Sequence, residues 1–239
     1  MRGKRRTRHW ARWRAGRHAL RVLPWSIGLV SLAPWAQVGA DGALFDAEPA
    51  VVIESPTPQA FSVCYNHGCS KAARTGLTPG EWDRLAQIFR PPATDPGQER
   101  ARLARAVALM ETLVGERTGT AGDRGGNLKG IFAFSPQQDC IDESTNSTTY
   151  LRLMEDAGLL RWHRVEKIRT RGFVIFGFPH NTAVVRDLTT GREYAVDSWF
   201  FDNGVEPVVL PLEVWSHGWH PGDALDSGPA TEPGREANE

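Results

Sequence analysis

The stretch PHNTAVVRDLTTGREYAVDSWFF, residues 179–201, predicts a β-hairpin. Two runs rich in branched and aromatic residues flank the turn sequence LTTG, as is typical of paired strands. If the two ends of LTTG close the turn, His180 lies opposite Trp199, and Asp197 is the diagonal neighbour of His180 on the same face of the sheet. A register shifted by one residue would separate His180 from Asp197.

Short strand-like runs make up the second half of the chain, separated by RTRG, PHN and TTG. They cover residues 162–168, 173–178, 182–188 and 193–201, and they predict an antiparallel meander. The chain before them carries the start signals of helices. The expected fold class is therefore α+β, with the helices first and the sheet second.

Three helices are predicted, the first two from the capping signals of their first turns. Thr78 and Asp95 are N-cap residues, and each precedes a proline at the first helical position. The second helix is followed by GERTGTAGDRGGNLKG, residues 115–130, whose six glycines predict a long loop. The third helix begins at Cys140 and ends near Gly158.

The first forty residues differ in charge from the rest of the chain. Residues 2–21 carry nine Lys and Arg, and no acid precedes Asp41, which leaves 19 basic against 28 acidic residues in the remainder. The uncharged segment behind this basic start is short and broken by prolines, so residues 1–40 predict a signal peptide rather than a stable membrane span. Cleavage near Ala40 would send the mature chain to the periplasm or the medium. A basic nucleic-acid-binding arm is the alternative, but the acidic mature chain argues against a nucleic-acid partner.

Composition also divides the mature chain into segments. Residues 41–60 predict a loosely ordered lead-in, and residues 61–221 predict a single α+β domain. Residues 222–239 have almost no large apolar side chain, which predicts a disordered tail. At 41% hydrophobic residues the whole chain can bury a sizeable core.

The chain has three cysteines, and export to an oxidising compartment favours a disulfide between the two in CYNHGC. Turn residues between Cys64 and Cys69 help this loop to close. A metal site formed by both thiols and His67 is the alternative, although no second ligand pair follows. Cys140 is left unpaired, so it is either a reactive thiol or the site of an intermolecular disulfide.

Cys140 begins the third predicted helix, within QQDCIDESTN. Free N–H groups and the helix dipole at that position stabilise a thiolate, whereas neighbouring acids disfavour it. A thiol nucleophile also needs a base and a group that orients the base. His180 and Asp197 are the candidates, and His67 and His163 are candidate bases only if His180 fails.

In their order and spacing, DCIDES, PHNTAVV and YAVDSWF resemble motifs of the transglutaminase-like branch of the papain-like cysteine peptidase superfamily. The beginning DCID is especially similar to that of the bacterial transglutaminase-like cysteine peptidases. The resemblance covers residues 137–201. It implies a papain-like, transglutaminase-like core in which the nucleophile begins a helix and the histidine and aspartate follow on adjacent antiparallel strands.

The resemblance implies a role for each matching residue. Cys140 would attack an amide or ester carbonyl to form a thioester, His180 would carry the proton, and Asp197 would fix the tautomer of the histidine. The backbone N–H of Cys140, with the side chain of Gln138 or Gln137, would form the oxyanion hole.

Some members of this branch bind calcium through acids beside the cysteine. The corresponding residues in this chain are Asp139, Asp142 and Glu143. Their short run lacks the alternating spacing of a dedicated calcium loop, so no cofactor is expected.

The expected function is that of an exported cysteine peptidase or amide-bond acyltransferase that acts on a protein or peptide substrate. A catalytically inactive module of the same fold, which binds or scaffolds other components of the cell envelope, is one alternative. A structural protein linked through an intermolecular disulfide at Cys140 is another.

Overall fold

The structure is a computed structural model, and it describes residues 52–126, 137–172 and 179–223. The predicted signal peptide lies outside the described residues, as do the predicted strand at 173–178 and the tail from residue 224 onward. The described residues form a mixed α+β fold, which confirms the α+β class. The predicted order of helices first and sheet second is wrong, because two strands, Phe61–Tyr65 and Lys71–Thr75, precede the first helix and pair with each other.

The described residues form seven strands and four helices. In chain order these are β1 (Phe61–Tyr65), β2 (Lys71–Thr75), α1 (Pro79–Gln87), α2 (Pro96–Thr118), α3 (Cys140–Asp156), β3 (His163–Val165), β4 (Arg169–Arg171), β5 (His180–Asp187), β6 (Glu193–Asp197), β7 (Val208–Pro211) and α4 (Leu212–Ser216). The three predicted helices are present as α1, α2 and α3.

The start signals of α1 and α2 act as the sequence predicts. The side chain of Thr78 accepts a hydrogen bond from the N–H of Glu81, and the two residues form a capping box. The side chain of Asp95 accepts a hydrogen bond from the N–H of Gln98. Each cap satisfies an N–H group that has no acceptor within its own helix.

Helix α2 is longer than the sequence predicts. The glycine-rich run predicts a loop from residue 115, but α2 continues to Thr118, and Gly119 ends it with a φ of 79°. Gly115 lies inside the helix. A Cβ on Gly115 would lie 3.0 Å from the Cα of Ala121, so this glycine permits a close approach of two backbone segments rather than a turn.

The strands form two antiparallel sheets. β1 and β2 pair as a separate hairpin, and the larger sheet has the order β3–β5–β6–β7, with β4 also paired to β5. Val184 pairs with Ala195 across the β5–β6 turn, which is the register that the sequence predicts. The prediction that RTRG is a connection is wrong, because Arg169–Arg171 forms β4 beside the start of β5.

The main hydrophobic core lies between the helices and the larger sheet, where α3 packs against β5. The apolar face of α2 joins this core through Leu103, Val107, Met110 and Val114. Burial of each large aliphatic side chain of this kind contributes about 1.5 to 3 kcal/mol. A second buried cluster of Ala195, Leu210, Trp215 and Trp219 connects α4 to β6 and β7. No helix within the described residues is long and apolar enough to cross a membrane.

Candidate active site

Cys140 is the first residue of α3, and the residues around it cap this helix. The side chain of Asp139 accepts hydrogen bonds from the N–H groups of Ile141 and Asp142, each at 3.0 Å. The side chain of Asp142 in turn accepts the N–H of Asp139 at 3.1 Å. Two of the acids beside the cysteine therefore form a capping box at the helix start.

The loop between β1 and β2, residues 66–70, lies against this helix start. We call it the disulfide loop, because the predicted disulfide between Cys64 and Cys69 is present and closes it. The four residues from 66 to 69 all have positive φ, between 52° and 67°. Consecutive residues in this left-handed conformation turn their N–H groups toward one side of the loop.

Three backbone N–H groups of the disulfide loop point at the acids of α3. Those of His67 and Cys69 donate to Asp142 at 2.8 and 2.6 Å. That of Gly68 donates to Asp139 at 2.9 Å. Converging backbone N–H groups form an anion-binding site, and here the anions are the protein's own carboxylates.

Asn146, in the middle of α3, binds the β1–β2 hairpin through the backbone of Cys64. Its Oδ1 accepts the N–H of Cys64 at 2.7 Å, and its Nδ2 donates to the carbonyl of Cys64 at 2.9 Å. The N–H of Asn66 donates to the carbonyl of Gln137 at 3.0 Å. The β1–β2 hairpin is thus hydrogen-bonded to a residue before Cys140, Gln137, and to a residue after it, Asn146.

His180 is the first residue of β5, and Asp197 is the last residue of β6. Because the hairpin has the predicted register, the Nε2 of His180 lies 2.7 Å from the Oδ2 of Asp197. Only 8% of His180 and 2% of Asp197 is exposed. Asp197 also accepts the N–H of Trp199 at 3.3 Å and the indole N–H of Trp215 at 2.7 Å.

The thiol of Cys140 lies against the backbone on either side of His180. Its Sγ is 3.7 Å from the carbonyl oxygen of Pro179, and the N–H of Asn181 interacts with it. The start of α3 therefore meets the start of β5. The three residues expected to form a triad lie in one region of the molecule.

The surroundings of Cys140 act against its ionisation. Burial raises the pKa of the Cys140 thiol above its ordinary value, and the negative charges of Asp139 and Asp197 add to the rise. The N–H groups of Asn181 and of Cys140 itself act in the opposite direction, but they do not outweigh burial. The expectation that a helix start favours the thiolate is thus met only in part, and a thiolate at neutral pH requires that a base take the proton.

The two glutamines expected at the oxyanion hole use their side-chain amides elsewhere. Gln138 is 3% exposed, and its Nε2 donates to the carbonyl of Cys64 at 3.0 Å. The Nε2 of Gln137 donates to the carbonyl of Gly122 at 2.9 Å. Both amides connect loops, and the backbone N–H of Cys140 is the remaining predicted donor.

The three acids that the resemblance suggests as calcium ligands do not lie together. Asp139 and Asp142 lie with His67, with ligand atoms all within 4.8 Å of one another, whereas Glu143 is buried elsewhere. Calcium takes about six to eight oxygen ligands. This group supplies one imidazole and two carboxylates that already accept backbone N–H groups. The three side chains of this group therefore do not by themselves supply the ligand set of a calcium site.

Glu143 belongs to a buried group of acids, the interior acid cluster, with Glu111 and Asp123. The Oγ of Ser198 donates to Glu143 at 2.7 Å, and the N–H of Gly204 donates to Glu111 at 2.9 Å. Burial raises the pKa of Glu111 to about 8 and that of Asp123 to about 6, and it raises the pKa of Glu143 well above its ordinary value. The cluster joins α2 and α3 to the segment after β6, and sequence reasoning does not reveal it.

His163 and His67, the two alternative bases, have different contacts from those of His180. His163 is 2% exposed, its Nδ1 lies 3.0 Å from Glu99, and its Nε2 lies 3.3 Å from Arg100. Both ring nitrogens of His163 therefore already have side-chain partners, Glu99 and Arg100. His67 lies in the disulfide loop, beside the acids that cap α3.

Trp215 belongs to an aromatic-rich C-terminal segment, and its contact with Asp197 is a feature of this region that the sequence does not predict. It follows Asp197 by 18 positions and lies in α4, yet its indole N–H reaches the carboxylate that His180 contacts. A buried tryptophan usually finds an acceptor for its N–H. That tendency is the only signal in the sequence, and it does not say which acceptor is used.

We compared the chain with protein-family models, with curated proteins and with solved structures, and none of the three comparisons gives a match. The resemblance to transglutaminase-like proteins therefore rests on the residues and spacings of this chain alone.

Proposed function

We propose that the protein is an exported cysteine peptidase or amide-bond acyltransferase of the transglutaminase-like type, with Cys140, His180 and Asp197 as its triad. The observation that supports this proposal most is the contact of 2.7 Å between His180 and Asp197, with the Cys140 thiol against the same strand start. A thiol, a histidine and a carboxylate that orients the histidine are the groups that nucleophilic cysteine catalysis requires.

We assign the protons of the proposed reaction from the contacts of His180. Because Nε2 of His180 faces a carboxylate, we place its proton there, which leaves Nδ1 as the acceptor on the imidazole ring. Transfer of the Cys140 proton to Nδ1 gives a thiolate and an imidazolium. The thiolate adds to the carbonyl carbon of the substrate, the C–N bond breaks, and His180 protonates the departing amine.

The second half of the reaction returns the enzyme to its first state. Water, or an acceptor amine, loses a proton to His180 and attacks the thioester carbonyl, and the sulfur of Cys140 leaves as thiolate. The thiolate then takes the proton back from the His180 imidazolium, which restores the thiol and the neutral imidazole. The backbone N–H of Cys140 would stabilise the oxyanion in both halves, a contribution of about 3 kcal/mol for one well-placed donor.

A catalytically inactive binding or scaffolding module is a second candidate function, and one observation favours it. Burial, Asp139 and Asp197 raise the pKa of the Cys140 thiol, so the thiol stays neutral unless His180 takes its proton. In such a module the His180–Asp197 contact would serve only to hold β5 against β6.

Covalent trapping of the acyl-enzyme separates the two candidates. The mature protein is incubated with a panel of activated esters and peptide thioesters, and its intact mass is followed over time. Cys140 is the only cysteine outside the disulfide, so a thiol adduct can be assigned to it. We expect an adduct on the wild type and none on Cys140→Ala.

The histidine variants give the decisive comparison. His180→Ala should slow acylation by about a hundredfold, because the general base is lost. His217→Ala is the matched control, since His217 is an exposed histidine at the end of α4, and it should react like the wild type. Equal acylation of His180→Ala and the wild type would contradict the triad and favour the inactive module.

A further inference from the structure

We infer that Trp215 is a positioning residue of this site, whose indole N–H holds the Asp197 carboxylate in the orientation that His180 requires. The inference rests on the proposed function, because it concerns the same His180–Asp197 pair. It adds a residue that the resemblance does not supply.

The Asp197 carboxylate is held at both oxygens. Its Oδ2 accepts hydrogen bonds from Nε2 of His180 and from Nε1 of Trp215, each at 2.7 Å. Its Oδ1 accepts the N–H of Trp199 at 3.3 Å. Because only 2% of Asp197 is exposed, these donors replace the hydration that burial removes from the carboxylate. Any rotation of the carboxylate would weaken all three bonds.

Trp215 is itself fixed in place. Its side chain is completely buried in the cluster with Leu210 and Trp219. The guanidinium of Arg171 lies 4.6 Å from the centre of a Trp215 ring, and it donates to the carbonyls of Trp215 and Trp219. Arg171 ends β4 opposite His180. The indole therefore cannot turn away without disturbing the strand beside the base.

This arrangement determines what loss of the indole N–H would do. Without it, a buried carboxylate loses one of its charge-assisted hydrogen bonds, and its Oδ2 is no longer held toward Nε2 of His180. The imidazole then loses the partner that fixes its tautomer and its orientation toward Cys140. Formation of the thiolate should fall, although the fold stays as it is.

Two tryptophan variants make a matched pair for the test. Trp215→Phe removes the N–H that donates to Asp197. Trp219→Phe makes the same chemical change in the same cluster, but the Nε1 of Trp219 is buried without a hydrogen-bond partner among the described residues. A purely structural role of the aromatic cluster would affect both variants alike.

The readout is the rate at which iodoacetamide alkylates Cys140 as a function of pH. Loss of one hydrogen bond to a charged group predicts that Trp215→Phe reacts about tenfold more slowly than the wild type near about pH 6. Trp219→Phe should stay within about twofold of the wild type. Equal rates for the two phenylalanine variants would overturn the inference.

A second measurement keeps the inference testable if Trp215→Phe does not fold. In ¹⁵N-labelled protein, the indole resonance of Trp215 should move in Asp197→Asn, and that of Trp219 should not. If the Trp215 resonance stays in place, the inference is wrong whatever the alkylation rates are. If alkylation of the wild type does not depend on His180, the proposed function fails instead, and the indole resonance still reports whether Trp215 holds Asp197.

Discussion

The nucleophile and the base of the proposed triad are held in place by different means. On the nucleophile side, main-chain N–H groups of the disulfide loop bond to Asp139 and Asp142 at the start of α3. On the base side, the side chains of His180, Asp197 and Trp215 bond to one another. A covalently closed loop holds its N–H groups as a unit, whereas a network of side chains can lose one bond at a time. Damage to the nucleophile side should therefore lower stability and reactivity together, and damage to the base side should lower reactivity in a folded protein.

Removal of the disulfide should have the largest effect. In Cys64→Ser/Cys69→Ser, the loop is no longer closed and its N–H groups no longer converge on Asp142. Loss of a cross-link that closes so short a loop predicts a fall of about 2 kcal/mol in the free energy of unfolding. Release of the loop N–H groups from the buried carboxylate of Asp142 adds about 2 kcal/mol to this fall. Chemical denaturation measures this fall, and hydrogen exchange of the amides of residues 67–69 measures release of the loop. Unchanged exchange at these amides would contradict the role given to the loop.

The interior acid cluster joins the two sides, and it should make the protein less stable as pH rises. The folded-state pKa of Glu111 is raised to about 8, so the folded protein holds a proton that the unfolded chain releases near about pH 4 to 5. The contribution of this proton to the free energy of unfolding is therefore fully present below that range, and it is lost as the pH rises toward about 8. We expect a loss on the order of 3 kcal/mol between about pH 5 and about pH 8.

Glu111→Gln tests this dependence. The variant keeps a neutral side chain of the same shape, so the slope of unfolding free energy against pH should be clearly smaller than in the wild type. Denaturant titrations at both pH values measure the slope. Identical slopes for the variant and the wild type would mean that Glu111 does not hold the proton.

Replacement of a single carboxylate on the nucleophile side should lower the free energy of unfolding by a smaller amount. Asp142 is fully buried and accepts the N–H groups of His67, Cys69 and Asp139. In Asp142→Asn an amide NH₂ would face these donors. This should lower the free energy of unfolding by about 2 kcal/mol and slow alkylation of Cys140. Asp156→Asn, at the exposed end of the same helix, is the control and should stay within about 0.5 kcal/mol of the wild type.

The smallest effect on stability is expected on the base side. A Cβ at Gly125 would lie 2.4 Å from the carbonyl oxygen of Phe200, so Gly125→Ala must displace the segment that follows Asp197. We expect a loss of about 1 kcal/mol, with a larger relative loss of acylation rate. Gly122→Ala is the control, because a Cβ at Gly122 meets no atom within 4 Å. Equal acylation by the two variants would show that this segment does not support the base.

Local signals in the sequence predicted much of the fold. The LTTG turn and the alternation of the flanking runs predicted the register of β5 and β6, because the side-chain period of a strand leaves few alternatives. The N-cap residues Thr78 and Asp95 predicted the starts of α1 and α2, and the start of α3 at Cys140 was predicted without its cap, Asp139. The hairpin of β1 and β2 was not predicted, because KAART has no large apolar residue and pairs with β1 through its backbone. Strand β4, RTR, was missed for the same reason.

The candidate site could be predicted only where its residues follow local rules. Cys140 at a helix start, and His180 and Asp197 on one face of a hairpin, follow from caps and register. The contact of Trp215 with Asp197 depends on how α4 folds back over β6, which no local pattern encodes. Glu143 has the position of an ordinary first-turn acid, and its burial depends on the packing of α3 against the rest of the molecule.

The pH profile of Cys140 alkylation tests the central claim most directly. Iodoacetamide is applied to the wild type and to His180→Ala between about pH 5 and about pH 10. If His180 takes the thiol proton, the wild type keeps a substantial rate near about pH 6, and His180→Ala reacts only above the ordinary thiol pKa of about 8.5. Two profiles that coincide in a single step at or above that pKa would show that Cys140 and His180 do not act together.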